Sequence, residues 1–214
     1  GLPRNRPPYP AQRGLFGRPT LINNVETLYW LREILERGAE WYLAEGCPHL
    51  YSVSGRVRAP GVKRVPLGVT ARQLVEDHAG GMAAGHVLKA YLPGGASGGI
   101  LPAELADLPL DFDTLDSYGC FIGSSALVVI SESDPIRSVV LNLLRFFAHE
   151  SCGQCTPCRL GTEKMVQLLE RPRWDEGLID ELSAAMRDAS ICGLGQAAPN
   201  PVRCAFRFFA DEIA

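Results

Sequence analysis

The rhythm of apolar and polar positions changes twice along the chain. Val25, Leu28, Leu31, Ile34 and Leu35 recur at helical spacing. The Asn23-Asn24 pair ahead of them can cap a helix start, and Gly38 behind them can end it. From about residue 49 to residue 131 the apolar runs shorten. Residues 50–54, 62–65, 87–91 and 127–130 read as strands set between glycines and prolines. Thr70 can cap a short helix over 71–77 that turns Leu74 and Val75 inward. The order strand, strand, helix, strand, strand predicts a small β-grasp-like, ubiquitin-shaped domain.

After residue 133 the period is helical again. Asp134 can cap, and Pro135 suits a first helical position. Ile136, Val139, Val140, Leu143, Leu144 and Phe147 make a wide apolar stripe. A second helix over 160–170 stops at Arg171-Pro172. A third over 176–188 turns Leu178, Ile179, Leu182 and Met186 inward. A fourth opens at Asn200-Pro201 and carries Val202, Ala205, Phe206, Phe209 and Ile213 into the core. Four helices with short connections predict a bundle. The fold class is therefore α+β, a β-grasp-like domain followed by a helical bundle.

Two stretches carry no such rhythm. Residues 1–20 hold Pro3, Pro7, Pro8, Pro10 and Pro19 and read as an extended arm without helix. The run Gly94-Gly95-Ala96-Ser97-Gly98-Gly99 lacks the Lys and Ser/Thr of a phosphate loop and the order of a dinucleotide fingerprint. It reads as a flexible turn.

Composition narrows the class. The 214 residues suffice for one large domain or two small ones, and 46% are hydrophobic, so a core can be buried. A net charge of −3 points to no nucleic-acid surface and no polybasic anchor. No run of about 18 apolar residues offers a membrane span. Gly1 to Pro10 lacks the apolar stretch of a secretory signal. A chain beginning at Gly1 reads as a piece of something longer.

The cysteines carry the chemistry. Cys152, Cys155 and Cys158 stand at two-residue spacing, and Cys192 follows far downstream. Three thiolates so spaced can meet one face of an inorganic cube, and a distant fourth can close it. That is an iron–sulfur pattern, pointing to a [4Fe–4S] cluster and electron transfer. Structural zinc is the alternative, although zinc usually takes two separated pairs and Cys192 has no paired neighbour. Gly153 lets the chain turn between ligands and Pro157 stiffens it. Cys158 falls at the start of the second bundle helix, whose N-terminus favours negative charge. Gly193 and Gly195, in a loop with Cys192, would let backbone amides approach the sulfurs. Arg159 faces either that charge or solvent. The remaining Cys47, Cys120 and Cys204 read as buried small hydrophobes. Free thiols suit a reducing, cytoplasmic setting. His49, His78, His86 and His149 are scattered, and no nucleophilic triad or paired carboxylates are present. No catalytic residue is assigned.

Two longer motifs then carry a resemblance. Glu150-Ser151-Cys152-Gly153-Gln154-Cys155-Thr156-Pro157-Cys158-Arg159 resembles the E-S-C-G-x-C-x-P-C-R run of the NADH-binding flavoprotein subunits. These occur in respiratory complex I, NAD-reducing hydrogenases and soluble NAD-dependent formate dehydrogenases. Gly14-Leu15-Phe16-Gly17-Arg18-Pro19-Thr20 and Asn23-Asn24-Val25-Glu26-Thr27 are similar to the same family. The resemblance implies that residues 1–46 are the tail of a flavin/NADH domain with a linking helix. It implies a soluble-ligand-binding β-grasp (SLBB) domain over 47–133 and a helical iron–sulfur binding domain over 134–214. It makes Cys152, Cys155, Cys158 and Cys192 the cluster ligands and puts Asn23 and Asn24 near a flavin. The family's N-terminal flavin domain has no counterpart here, so FMN and NAD would bind only in a complete subunit. This chain alone would be inactive. The expected partners are that flavin domain and the other iron–sulfur subunits of a multisubunit dehydrogenase. The run from Ile191 to Pro201 looks most like formate dehydrogenase β subunits, with hydrogenase diaphorases and complex I as alternatives.

Overall fold

The computed structural model describes residues 7–213. Pro3 and the rest of the first six positions lie outside the described residues. The arm expected to be extended contains helix α1, Pro10–Arg13, because Pro10 occupies its first position, where a missing N–H costs nothing. Helix α2, Val25–Arg37, begins where the asparagines predict: the Asn24 side-chain oxygen accepts from the Glu26 N–H at 2.8 Å. Gly38, at φ 89°, ends it, and α3, Ala39–Ala44, follows.

Five strands form one sheet: β1 Pro48–Gly55, β2 Gly61–Pro66, β3 Leu88–Leu92, β4 Leu101–Pro102 and β5 Ala126–Ser131. Their order across the sheet is β2-β1-β5-β3-β4. β1 and β5 run parallel through the middle, with Val53 opposite Leu127, and the other pairs are antiparallel. A parallel pair needs a long crossover, which here passes through α4, Ala71–Gln73. Thr70 and Gln73 form a reciprocal capping box at its start. A π-helical turn, Leu74–His78, continues α4 and buries Leu74 and Val75 as expected. β4 has only two residues and is too short to show in the periodicity.

The remaining chain is helical: α5 Ile136–Glu150, α6 Thr156–Leu169, α7 Glu176–Ala189, α8 Gly193–Ala197, α9 Asn200–Phe208 and α10 Ala210–Ile213. α5 buries Ile136, Val140, Leu144 and Phe147. Asp134 does not cap it. The Asp134 carboxylate instead takes a forked pair of bonds from Arg56 at 2.7 and 3.1 Å and one from the Ser131 N–H. Leu178, expected inward, is exposed, while Ile179 and Met186 are buried.

The glycine run at 94–99 is not the flexible turn expected. Ala96–Gly98 makes one 3₁₀ turn, and Gly94, Gly98 and Gly99 are buried. Gly99 sits at φ +83°, where a Cβ would come within 2.5 Å of Cys120 Sγ and 3.0 Å of Cys204 Sγ. The missing side chains let the sheet and α9 close on each other, and Asn200 Nδ2 donates to the Ser97 carbonyl at 3.0 Å. Cys120 and Cys204 are buried as expected, their sulfurs 3.6 Å apart. Cys47 is half-buried. One apolar core runs from Tyr51, Tyr91 and Leu127 of the sheet through Ile136 and Leu144 to Met186 and Val202.

Candidate metal centre

The segment joining α5 to α6 carries three of the predicted ligands. Gly153, at φ +74°, reverses the chain after Cys152. Cys155 is the N-cap of α6, and Pro157 follows inside the first turn. Cys158 lies one position further, at the expected helix start. Cys192 comes from the junction of α7 and α8. It is not in an open loop: it caps α8, whose two glycines hid the helix from propensity. The burial is graded. Cys152 and Cys192 are exposed, Cys155 is half-buried and Cys158 is buried.

Cys158 feels the other three thiols electrostatically. Burial raises the Cys158 pKa, opposed by a bond with Ser151, whose Oγ lies 3.4 Å from Cys158 Sγ. Proximity to Cys155, Cys192 and Cys152 raises it further. At Cys155 the balance is reversed. The Cys155 pKa is lowered, chiefly by the nearby Ile191 N–H and then by the N–H groups of Cys158 and Cys155, against an opposing cost of burial. A sulfur ringed by donors is prepared to carry negative charge. Among the described residues no three His, Cys, Asp or Glu side chains close round one point as ligands of a single ion.

The chain around the thiols is held from both sides. The Gly153 N–H donates to Ser151 Oγ at 3.3 Å. Arg159 Nη1 donates to the Gly153 carbonyl, so this guanidinium braces the turn. Gln196 Nε2 donates to the Ser190 carbonyl at 3.0 Å, tying α8 to the end of α7. A Cβ on Gly195 would stand 2.7 Å from Cys158 Cβ, so this glycine is what allows α8 to press against α6. Ser151 and Ser190 were not singled out from the sequence. Their one visible signal is position, next to Cys152 and two residues before Cys192.

Asn23 and Asn24 lie elsewhere, at the head of α2. Asn24 serves as the cap already described and Asn23 is exposed. Glu26 then ties α2 to the sheet. Its Oε1 accepts from the Leu50 N–H at 2.8 Å and lies 3.0 Å from His49 Nδ1, whose Nε2 lies 2.6 Å from Ser125 Oγ. His49 is thus an anchoring residue, as expected of the scattered histidines. No helix among the described residues is long and apolar enough to cross a membrane.

Known proteins resemble this chain. The iron–sulfur binding region of NADH-ubiquinone oxidoreductase-F matches residues 138–214. The F 2 subunit of the NADH-quinone oxidoreductase of Rhizobium meliloti (strain 1021) is 39% identical over 222 residues, which is 99% of this chain and 53% of that protein. The F subunit of the Mycobacterium tuberculosis (strain ATCC 25618 / H37Rv) oxidoreductase is 42% identical over 223 residues, 99% of this chain and 50% of its own length. A crystal structure of an NAD⁺-reducing [NiFe]-hydrogenase in the H2-reduced state superimposes with a TM-score of 0.84 at 37% identity, over 99% of this chain and 38% of that one. The chain spans about half the length of the curated relatives it matches. Residues 138–214 thus match the iron–sulfur binding region of NADH-ubiquinone oxidoreductase-F, and nearly the whole chain is similar to about half the length of the F subunits of NADH-quinone oxidoreductases.

Proposed function

We propose that Cys152, Cys155, Cys158 and Cys192 bind one [4Fe–4S] cluster and that this chain passes single electrons between a flavin and other iron–sulfur centres. The observation that carries the reading is the placing of Cys155 and Cys192 at the starts of two helices, with Cys158 in the first turn of one of them and Cys152 in the turn just ahead of it. The donor set fits the group: thiols alone, backbone donors for their charge, and a glycine where α8 and α6 press together. A bound cluster supplies one-electron chemistry, while FMN and NAD supply hydride chemistry. The residues of this chain hold the thiolates, stiffen the turn through Pro157 and Arg159, and leave Cys152 and Cys192 open to a neighbouring protein.

The wider reading follows the relatives. Residues 134–214 act as the iron–sulfur binding domain. Residues 47–133 act as an SLBB β-grasp domain, supported by the parallel β1–β5 pair at the centre of the sheet. Residues 1–46 are the tail of a flavin/NADH domain, with Asn23 and Asn24 near the flavin. The complete protein works in the cytoplasm as part of an NAD-dependent oxidoreductase, beside other iron–sulfur subunits. The run from Ile191 to Pro201 favours formate dehydrogenase, and the structural likeness to an NAD⁺-reducing hydrogenase favours that enzyme.

The test is the iron, sulfide and zinc content of anaerobically prepared protein, with an electron paramagnetic resonance spectrum after dithionite reduction. About four irons per chain and a reduced-cluster signal are expected. One zinc without iron would make the site a structural one in a non-redox binding module. Cys192→Ala should abolish or convert the cluster and leave the helices folded. A full iron complement in that variant would remove Cys192 from the ligand set.

A further inference from the structure

Ser190 is 6% exposed, and its Oγ has no hydrogen-bond partner. Among the described residues it is the one such buried side-chain oxygen or nitrogen in the helical half; the others belong to Glu33, Trp41 and Asp111. A buried hydroxyl without a partner is destabilising, so its surroundings ask for an acceptor.

The position of Ser190 is fixed from both ends. Its N–H donates to the Met186 carbonyl at 3.1 Å, closing α7. Its carbonyl accepts from Gln196 at 3.0 Å. A Cβ on Gly195 would stand 2.7 Å from both Ser190 Cβ and Cys158 Cβ, so the serine and the buried thiol flank the same glycine. The hydroxyl therefore sits beside the thiol group, across Gly195 from Cys158.

We propose that Ser190 is a positioning residue that donates an O–H···S hydrogen bond to a sulfur of this cysteine group and thereby raises the reduction potential of the centre. The inference rests on the reading of the four cysteines as cluster ligands. Reduction adds negative charge to a centre of this kind, and a donor stabilises the more negative state more strongly. Removing the donor therefore favours the oxidised state.

The test is a redox titration followed by electron paramagnetic resonance, on the chain loaded anaerobically with iron and sulfide. Unsubstituted protein is compared with Ser190→Ala and Ser190→Thr. The alanine variant should keep its iron but lose several-fold, up to about tenfold, in the ratio of reduced to oxidised centre at the original midpoint; tenfold is about 59 mV for a one-electron couple. The threonine variant, which keeps the hydroxyl, should hold the original midpoint. An alanine midpoint unchanged, or a threonine midpoint shifted as far as alanine, would overturn the proposal. Iron lost from alanine alone would support it, because threonine keeps the hydroxyl that alanine lacks. Iron lost from both would assign the position to packing and overturn it. An unsubstituted chain that takes up no iron would instead sink the cluster reading on which the inference stands.

Discussion

Helices α2 and α5 are written in the same alphabet and folded to opposite ends. Both carry apolar residues at helical spacing over about the same length. α5 puts its stripe into the core, with Leu144 fully buried. α2 leaves Val25, Leu28, Leu31 and Leu35 in solvent, Val25 and Leu35 at 79% and 77% exposure, and buries Trp30 alone. Leu15, Phe16, Leu21 and Ile22, just ahead of it, are exposed as well. Periodicity encodes that a face should be buried; it does not encode what buries it. An exposed apolar patch of this kind marks a surface meant for another body. The proposed flavin/NADH-binding part of a complete subunit is the natural cover.

The contrast is tested most sharply by the same substitution on each helix. Leu144→Ala removes a side chain with no exposed surface and should cost about 2–5 kcal/mol of unfolding free energy. Leu35→Ala should stay within about 0.5 kcal/mol. Denaturant unfolding of the two variants provides the check. Comparable losses would mean that the α2 face is covered after all, by a second copy or by a rearrangement of the chain.

A smaller effect is expected where α2 is tied down. Glu26 receives the Leu50 N–H, the Trp30 Nε1–H at 3.2 Å and His49. Glu26→Ala leaves these groups unmatched, at about 1–3 kcal/mol for a buried donor. With few apolar contacts beneath α2, the loss should appear as local opening. Amide hydrogen exchange should quicken over residues 25–44 and stay unchanged over α5. Equal quickening in both would show that the two helices unfold as one unit and not as two.

These helices also show what could be read from the chain beforehand. Strands β1, β2, β3 and β5, the Thr70 cap and the long helices were legible because alternation, capping chemistry and helical spacing are local. The cysteine motif stands out in the sequence because its spacing is itself the signal. Three other features were not. The glycines at 94–99 look flexible in isolation, and their packing role exists only because Cys120, Phe121 and α9 arrive from far along the chain. Helix α8 was hidden by Gly193 and Gly195, which propensity counts against a helix and the close approach to α6 requires. Asp134 looked like a cap, but Arg56 from the end of β1 outcompetes the helix start for its carboxylate. Ser190 was invisible for the same reason, since its role depends on a thiol contributed by another helix.

That Arg56–Asp134 pair yields the smallest of the expected effects, and it separates α5 from α2 by a different route. Arg56 beside it holds the Asp134 carboxyl well below the usual range, at about 2, helped by the Ser131 N–H. An unfolded aspartate titrates near about 3.9. A depressed carboxylate pKa stabilises the fold fully above the unfolded value, and that stabilisation is lost as pH falls through the folded one. The tie at the head of α5 should therefore act in full above about pH 5 and fade between about pH 4 and pH 2. Arg56 is half exposed, so screening by solvent keeps its contribution small. Asp134→Asn should be less stable than the unsubstituted chain at neutral pH, and the gap should close on acidification and narrow in high salt. Leu35→Ala, with no charge in play, should show a small difference that does not follow pH at all. A gap for Asp134→Asn that stays flat from about pH 6 to about pH 2.5, across the window set by the two pKa values, would mean that α5 is held by its buried stripe alone, and that burial by itself distinguishes the two helices.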